Sequence, residues 1–190
     1  MELVANDASW YDVVQGNELL QGDLLNGCPI ARVRGFEQWP VPVGQAVSVE
    51  VELENLVILS QSCDLANDKI QDVILVQVLD WRVAANELSR QGNPFALSKQ
   101  FRRALIAGNI PSLSLLHKRA GIPRLGWSVV DFHRVFVLPK PVIAGVAQAA
   151  GPRLRLRSPY REYLAQAFAR YFMRVGLPLD ANAFESEGQV

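Results

Sequence analysis

The chain has little of what builds a compact chemical centre. Its 190 residues include only two cysteines and two histidines. Cys28 and Cys63 form neither a disulfide framework nor a Cys-x-x-Cys pair, and His117 and His133 do not form His-x-x-x-His, so the spacing gives no metal site. No P-loop and no Gly-x-Gly-x-x-Gly is present, which removes the two commonest phosphate cradles. The expectation is therefore no cofactor and no metal. Long apolar runs are also missing. The longest uncharged stretch, Pro141 to Pro152, falls far short of the roughly 20 residues that span a bilayer. Met1 to Asp7 lacks the basic-then-apolar pattern of a secretory signal. These absences lead us to expect a cytoplasmic chain in a reducing setting, with no membrane partner.

Net charge is absent as well, but only on average. Residues 1–80 hold 13 acidic and three basic side chains, whereas residues 81–190 hold six acidic and 16 basic ones. Halves of opposite sign either neutralise each other inside the fold or leave a basic face for an anionic partner such as RNA. With 49% hydrophobic and 20% charged residues, the composition is that of a globular domain rather than a disordered chain. A single domain over residues 1–178 is expected, followed by a flexible tail over 179–190.

Apolar alternation supplies the elements. After a short helical turn near Trp10-Tyr11, Gly22–Leu25 and Ile30–Arg34 read as strands joined by a turn at Asn26-Gly27 or Cys28-Pro29. Val47–Leu53 alternates, with its valines expected inward and Glu50 and Glu52 in water. A turn at Glu54-Asn55 leads to Leu56–Ser60, and Asp72–Val78 follows as another apolar strand. Short turns between such strands predict an antiparallel meander that curls into a barrel. Arg82–Arg90 and Leu97–Ala107 have helical composition, with Phe101, Leu105 and Ile106 forming the inner stripe of the second. Trp127–Leu138 returns to strand, placing Val130, Phe132, Phe136 and Leu138 on one face and Asp131 and His133 on the other. A helix over 159–175, opened by Ser158 and Pro159 and closed by Gly176, is expected to bury Tyr160, Tyr163, Leu164, Ala167, Phe168, Tyr171, Phe172 and Val175.

The densest chemistry lies in Leu56-Val57-Ile58-Leu59-Ser60-Gln61-Ser62-Cys63-Asp64. Four apolar residues predict a strand buried on both faces, and that strand runs directly into hydroxyls, a thiol and a carboxylate. Ser60, Ser62, Cys63 and Asp64 are candidate catalytic residues, although serine and aspartate at a strand end also make ordinary turns. A nucleophilic thiolate needs a base. His133, two residues from Asp131 on one strand face, gives a conceivable Cys63–His133–Asp131 set, against the alternative of a structural thiol. Arg153, Arg155 and Arg157 share one strand face and Arg161 follows. This row suits phosphate contact, or pairing with Glu50, Glu52 and Glu54.

Gln21-Gly22-Asp23-Leu24-Leu25, Gly35-Phe36-Glu37-Gln38, Leu56–Ser60 and Val73–Val78 together resemble the PemK/MazF-like toxin superfamily. That resemblance implies an SH3-like barrel with inserted helices and a C-terminal amphipathic helix, a mixed α+β fold. It also implies an endoribonuclease restrained by an antitoxin, with Ser60, Glu37 and Gln38 at positions that the family uses. The family's Arg-Pro pair before the apolar strand is missing here, since no basic residue lies between Arg34 and Lys69. Three readings stay open: a bacterial toxin-like or defence-associated nucleic-acid-binding protein that cuts RNA or has lost that activity, a cysteine-nucleophile enzyme using Cys63 and His133, and a non-catalytic module that binds protein partners.

Overall fold

The computed structural model describes residues 10–35 and 40–173. They form a mixed α+β fold in the order β1 (Tyr11–Val14), β2 (Leu24–Arg34), β3 (Ser48–Ile58), α1 (Ser62–Ala66), β4 (Asp72–Asp80), α2 (Trp81–Arg90), α3 (Lys99–Ile106), β5 (Leu113–Leu116), β6 (Ser128–Pro139), α4 (Lys140–Ala150), β7 (Arg153–Leu156) and α5 (Tyr160–Phe172). A five-stranded antiparallel sheet runs β2-β3-β4-β6-β5, and β1 pairs with β7 in a second, smaller sheet. The expected closed barrel does not form through ladder pairing. The two sheets touch through the isolated bridge Asp23–Arg155 at one edge. At the other edge, Tyr11 Oη donates to the His117 carbonyl at 2.7 Å, just beyond β5.

Leu56, Val57, Ile58 and Leu59 are buried as expected, and their side chains alternate between two cores. Val57 and Leu59 join Val76, Val78, Phe132, Leu154, Leu156 and Leu164 beneath the small sheet and α5. Leu56 and Ile58 join Val73, Leu75, Leu65, Ile143 and Ala147 beneath α1 and α4. Burying a side chain of this size contributes about 1.5–3 kcal/mol, so this short run anchors both layers. A third cluster, around Ala84, Leu105, Leu113 and Val129, seats α2 and α3.

Several local expectations give way to tertiary geometry. Trp10-Tyr11 leads into a strand, because Arg157 N–H donates to the Trp10 carbonyl at 2.9 Å and β7 continues the pairing. Asn26-Gly27 makes a bulge inside one long strand, with Gly27 at φ 69°, rather than a hairpin turn. β3 likewise runs straight through Glu54-Asn55. The valines of its first half face outward and are exposed. On β6, Phe132–Arg134 stand between the partners of Gln77 and Val76. This insertion flips the strand's faces, so Val130 and Phe132 enter one core while Phe136 and Leu138 enter the other. Ile106 is exposed, so Leu105 and Phe101 alone face inward from α3. On α5, Tyr163 and Phe172 are exposed and Leu164 supplies the buried contact. Pro159 stands at its N-cap position, so Ser158 does not cap it. Val175, Gly176 and the 179–190 tail lie outside the described residues.

Asp23 ties the ends of the domain together. Gly22, at φ +86°, lies against β7, where an added Cβ would sit 3.0 Å from Leu156 Cβ. Asp23 itself is fully buried. Its carboxylate receives Arg153 Nε at 3.0 Å and Arg155 Nη2 at 3.0 Å, and Arg155 Nε also donates to it. Burial alone would lower the Arg155 pKa, but the hydrogen bond and charge of Asp23, with Glu18 adding to them, raise it above the ordinary value. Removing one partner of such a group strands the others without compensation. We expect Asp23→Ala to cost about 3–5 kcal/mol, read as a lowered urea midpoint. An unchanged midpoint would show that the junction is dispensable.

Candidate functional site

The structure brings together two segments singled out in the sequence, Gln21-Gly22-Asp23 and Leu59–Asp64. Gln21 N–H donates to Ser62 Oγ at 3.1 Å, and Gln21 Nε2 donates to the Leu59 carbonyl at 2.7 Å. Gly22 N–H donates to the Ile58 carbonyl at 2.9 Å, and Ile58 N–H donates to the Asp23 carbonyl at 3.0 Å. Ser60 is buried, and its Oγ accepts the Ile74 N–H at 2.9 Å. Both hydroxyls thus satisfy backbone donors where β3 ends, which is the turn chemistry open to them from the start. Glu37 and Gln38 lie outside the described residues.

Cys63 is exposed on the short helix α1, and its thiol faces Gln61 Oε1 and Asp64 Oδ1 at 3.6 Å each. Strand register separates it from His133. Ile58 lies opposite Leu75 and Leu75 opposite Phe136, so β3 runs toward the Pro139 end of β6, and Cys63 lies beyond that end. His133 sits toward the other end, in the β6 bulge. Its Nδ1 is 2.9 Å from Asp131 Oδ1, and its ring stands edge-on to Tyr171. The expected His133–Asp131 contact is therefore present, without a thiol beside it. This pair borders a cavity of about 220 Å³ shared with Glu87, Arg134 and Leu113.

Arg153, Arg155 and Arg157 are occupied by acidic side chains of the N-terminal half, though not the ones expected. Arg153 is buried against Asp23, with Nη1 donating to the Gly16 carbonyl at 2.7 Å. Arg155 pairs with Asp23 and Glu18, and Arg157 reaches Asp12 at 3.4 Å. Arg161 binds Glu162 at 2.6 Å and holds that carboxyl below its ordinary value. Glu50, Glu52 and Glu54 pair instead with Arg32 and Arg34.

Unpaired positive charge collects elsewhere, around Trp127. One cavity of about 450 Å³ is lined by Trp81, Trp127, Arg82, Lys118, Arg119 and Arg124, with Asp80 as its single carboxylate among the described residues. A second, of about 720 Å³, runs from Trp127 past His117 and Trp10 to Tyr163 and Arg170. A third, of about 160 Å³, lies between Trp81, Trp127 and Arg102. Trp127 therefore stands where all three meet. The backbone N–H of Trp81 donates to the Trp127 carbonyl at 2.8 Å, holding the main chain of the two residues together. His117 stands edge-on to Trp127 at 4.5 Å, Trp10 stacks on His117 at 5.6 Å, and Tyr160 stacks on Trp10 at 4.0 Å. The loop carrying Lys118, Arg119 and Arg124 is pinched by two Arg119–Leu125 backbone hydrogen bonds of 2.7 and 3.0 Å. Among the described residues, no carboxylate forms an ion pair with Arg82, Lys118, Arg119 or Arg124.

Arg82, Lys118, Arg119, Arg124, Trp81 and Trp127 were not singled out as a site from the sequence. The signal was nevertheless there: Lys118-Arg119-Ala120-Gly121-Ile122-Pro123-Arg124-Leu125-Gly126-Trp127 holds three cations, no acid, and a closing tryptophan. Cations beside aromatics in a Gly/Pro loop can neutralise phosphate and offer a ring for stacking.

Compared with family models, with curated proteins and with solved structures, the chain finds no match in any of the three.

The two thiols differ sharply. Cys28 is buried, and burial pushes it up to about 11, so it stays a neutral, shielded thiol at pH 8. Alkylation at that pH is expected to modify Cys63 alone in the folded protein, with Cys28 reacting only after denaturant is added. Mass mapping that finds both modified at similar rates would contradict this burial.

Proposed function

We propose that the chain binds single-stranded nucleic acid, RNA in the first instance, across the aromatic and basic trough around Trp127. The observation that carries this reading is the combination of indole side chains with four cations that have no acidic partner among the described residues. Base stacking on an aromatic ring tolerates any sequence, and phosphate neutralisation supplies affinity without base readout. The likeness of Gln21–Leu25, Leu56–Ser60 and Val73–Val78 to PemK/MazF-like toxins is what suggests a kinship with them, the two sheets being separate rather than closed into a barrel. On that reading the chain is a bacterial toxin-like or defence-associated protein.

Anisotropy of a labelled single strand tests the binding. Affinity is expected to fall steeply with salt, and Arg82→Ala is expected to flatten that slope by about one charge. Trp127→Ala removes a stack worth about 1–3 kcal/mol, hence roughly a 5- to 150-fold loss. Binding that ignores both salt and Trp127 would overturn the reading.

A second reading, cleavage of the bound strand, is favoured by one observation. Leu113 lines both the large cavity beside Trp127 and the cavity at His133. An imidazole oriented by Asp131 is a general base by type. His133→Ala is then expected to abolish RNA cleavage while binding persists, and cleavage that survives the substitution removes His133 from any such role.

A further inference from the structure

The β2–β3 hairpin reaches well beyond the sheet that it starts from. β4 pairs with β3 only at Leu56–Ile58, whereas β2 and β3 stay paired out to Arg34 and Ser48. Beyond the body of the sheet the hairpin has two unlike faces. One carries a ladder of ion pairs: Arg32–Glu52 at 3.0 Å, Arg34–Glu50 at 3.0 Å and Arg34–Glu52 at 2.7 Å. The other is apolar. Val33 stands opposite Val49 and Ala31 opposite Val51, with Leu53 next along the strand, and Val47 continues the same alternation. The four larger side chains that lie within the strands are between 55% and 72% exposed.

A two-stranded ribbon is marginally stable in water unless a hydrophobic face is covered. Contiguous apolar surface on this scale marks a contact site. We propose that this face is the interface of a symmetric dimer, with the occupant being the same face of a second copy. The face presents no charge and no side-chain hydrogen-bonding group, so a partner must be an equally apolar, equally twisted surface. A second arm meets that requirement by identity and stacks as one half of a small sandwich, the sheets about 10 Å apart. A two-fold axis through the arms makes the contact self-complementary. The apolar stripe offers on the order of 500 Å² per copy, so pairing buries about 1,000 Å², at the lower bound for a specific interface. A weak, micromolar dimer follows. The ion-pair ladders then lie on the two outer faces, in water.

Sedimentation velocity on the full chain tests this. A shift from monomer to dimer is expected between about 1 and 100 µM. Val51→Glu places a charge in the centre of the face and is expected to weaken dimerisation at least roughly 30-fold. Val83→Glu, at an exposed position on α2, is expected to leave the dimer intact. Circular dichroism checks the fold of each variant. Should Val51→Glu fail to fold, Val49→Ser serves in its place, with the same direction expected. A chain that stays monomeric to about 100 µM overturns the proposal, whether or not it captures another protein. So does a dimer that a folded Val51→Glu or Val49→Ser leaves unchanged, or one that Val83→Glu dissolves equally.

Discussion

A carboxylate with no contact to solvent, facing two guanidiniums from a strand more than a hundred residues away, is the constraint on which the rest of this domain depends. Asp23 joins the opening of β2 to β7, and β7 carries β1 on its other edge. Without that junction the small sheet and α5 are held over the five-stranded sheet by side-chain packing and by the Tyr11–His117 hydrogen bond at the far edge. Burying three charged groups is expensive, and the return comes only because nearly every donor finds an acceptor: Arg153 also spends its Nη1 and Nη2 on the Gly16 and Glu18 carbonyls. The same junction fixes Gln21, which in turn ties down the end of β3. One buried carboxylate thus sets the position of the polar segment from Ser60 to Asp64.

That dependence explains why the sequence was legible in some places and not in others. Leu56–Leu59 could be read because a continuous apolar run has few other ways to be buried. The outward face of β3 could not. Alternation gives two faces but not which of them meets the core, and the choice was made by Cys28 and Ile30, which sit with Glu54 and Glu52 on the inner side of the hairpin. The flip along β6 was equally hidden. Nothing in Phe132-His133-Arg134 announces three extra residues, which arise because β5 captures the Phe132 N–H through the Ser112 carbonyl at 2.9 Å.

The polar residues at the strand end carry a related lesson. Hydroxyls and carboxylates are ambiguous in sequence because the groups that bind ligands also satisfy orphaned backbone donors. Ser60 and Ser62 resolve toward the backbone, and Asp23, which looked like part of a family motif, resolves toward arginine. The trough around Trp127 shows the reverse. Its loop reads as a plain connection, and only the fold shows that Trp81, Trp10 and His117 converge on it from other elements.

Charge accounting links these points. The acidic half neutralises arginines where the chain crosses itself: Asp12, Glu18 and Asp23 meet Arg157, Arg155 and Arg153, and Asp68 meets Lys140. Glu50, Glu52 and Glu54 are retained by Arg32 and Arg34 on the hairpin arm. Around Trp127 the described walls supply only Asp80, and that carboxylate is already capping α2 by accepting the Arg82 N–H at 2.8 Å. The opposed charges of the two halves therefore cancel across the fold's seams, while Arg82, Lys118, Arg119 and Arg124 gather beside Trp127 and Lys69, Arg90, Lys99 and Arg103 lie elsewhere, all without an ion pair among the described residues. The cluster beside Trp127 sets like charges together, which repel one another. The position of that cluster, rather than its size, is what distinguishes a basic face from a basic composition.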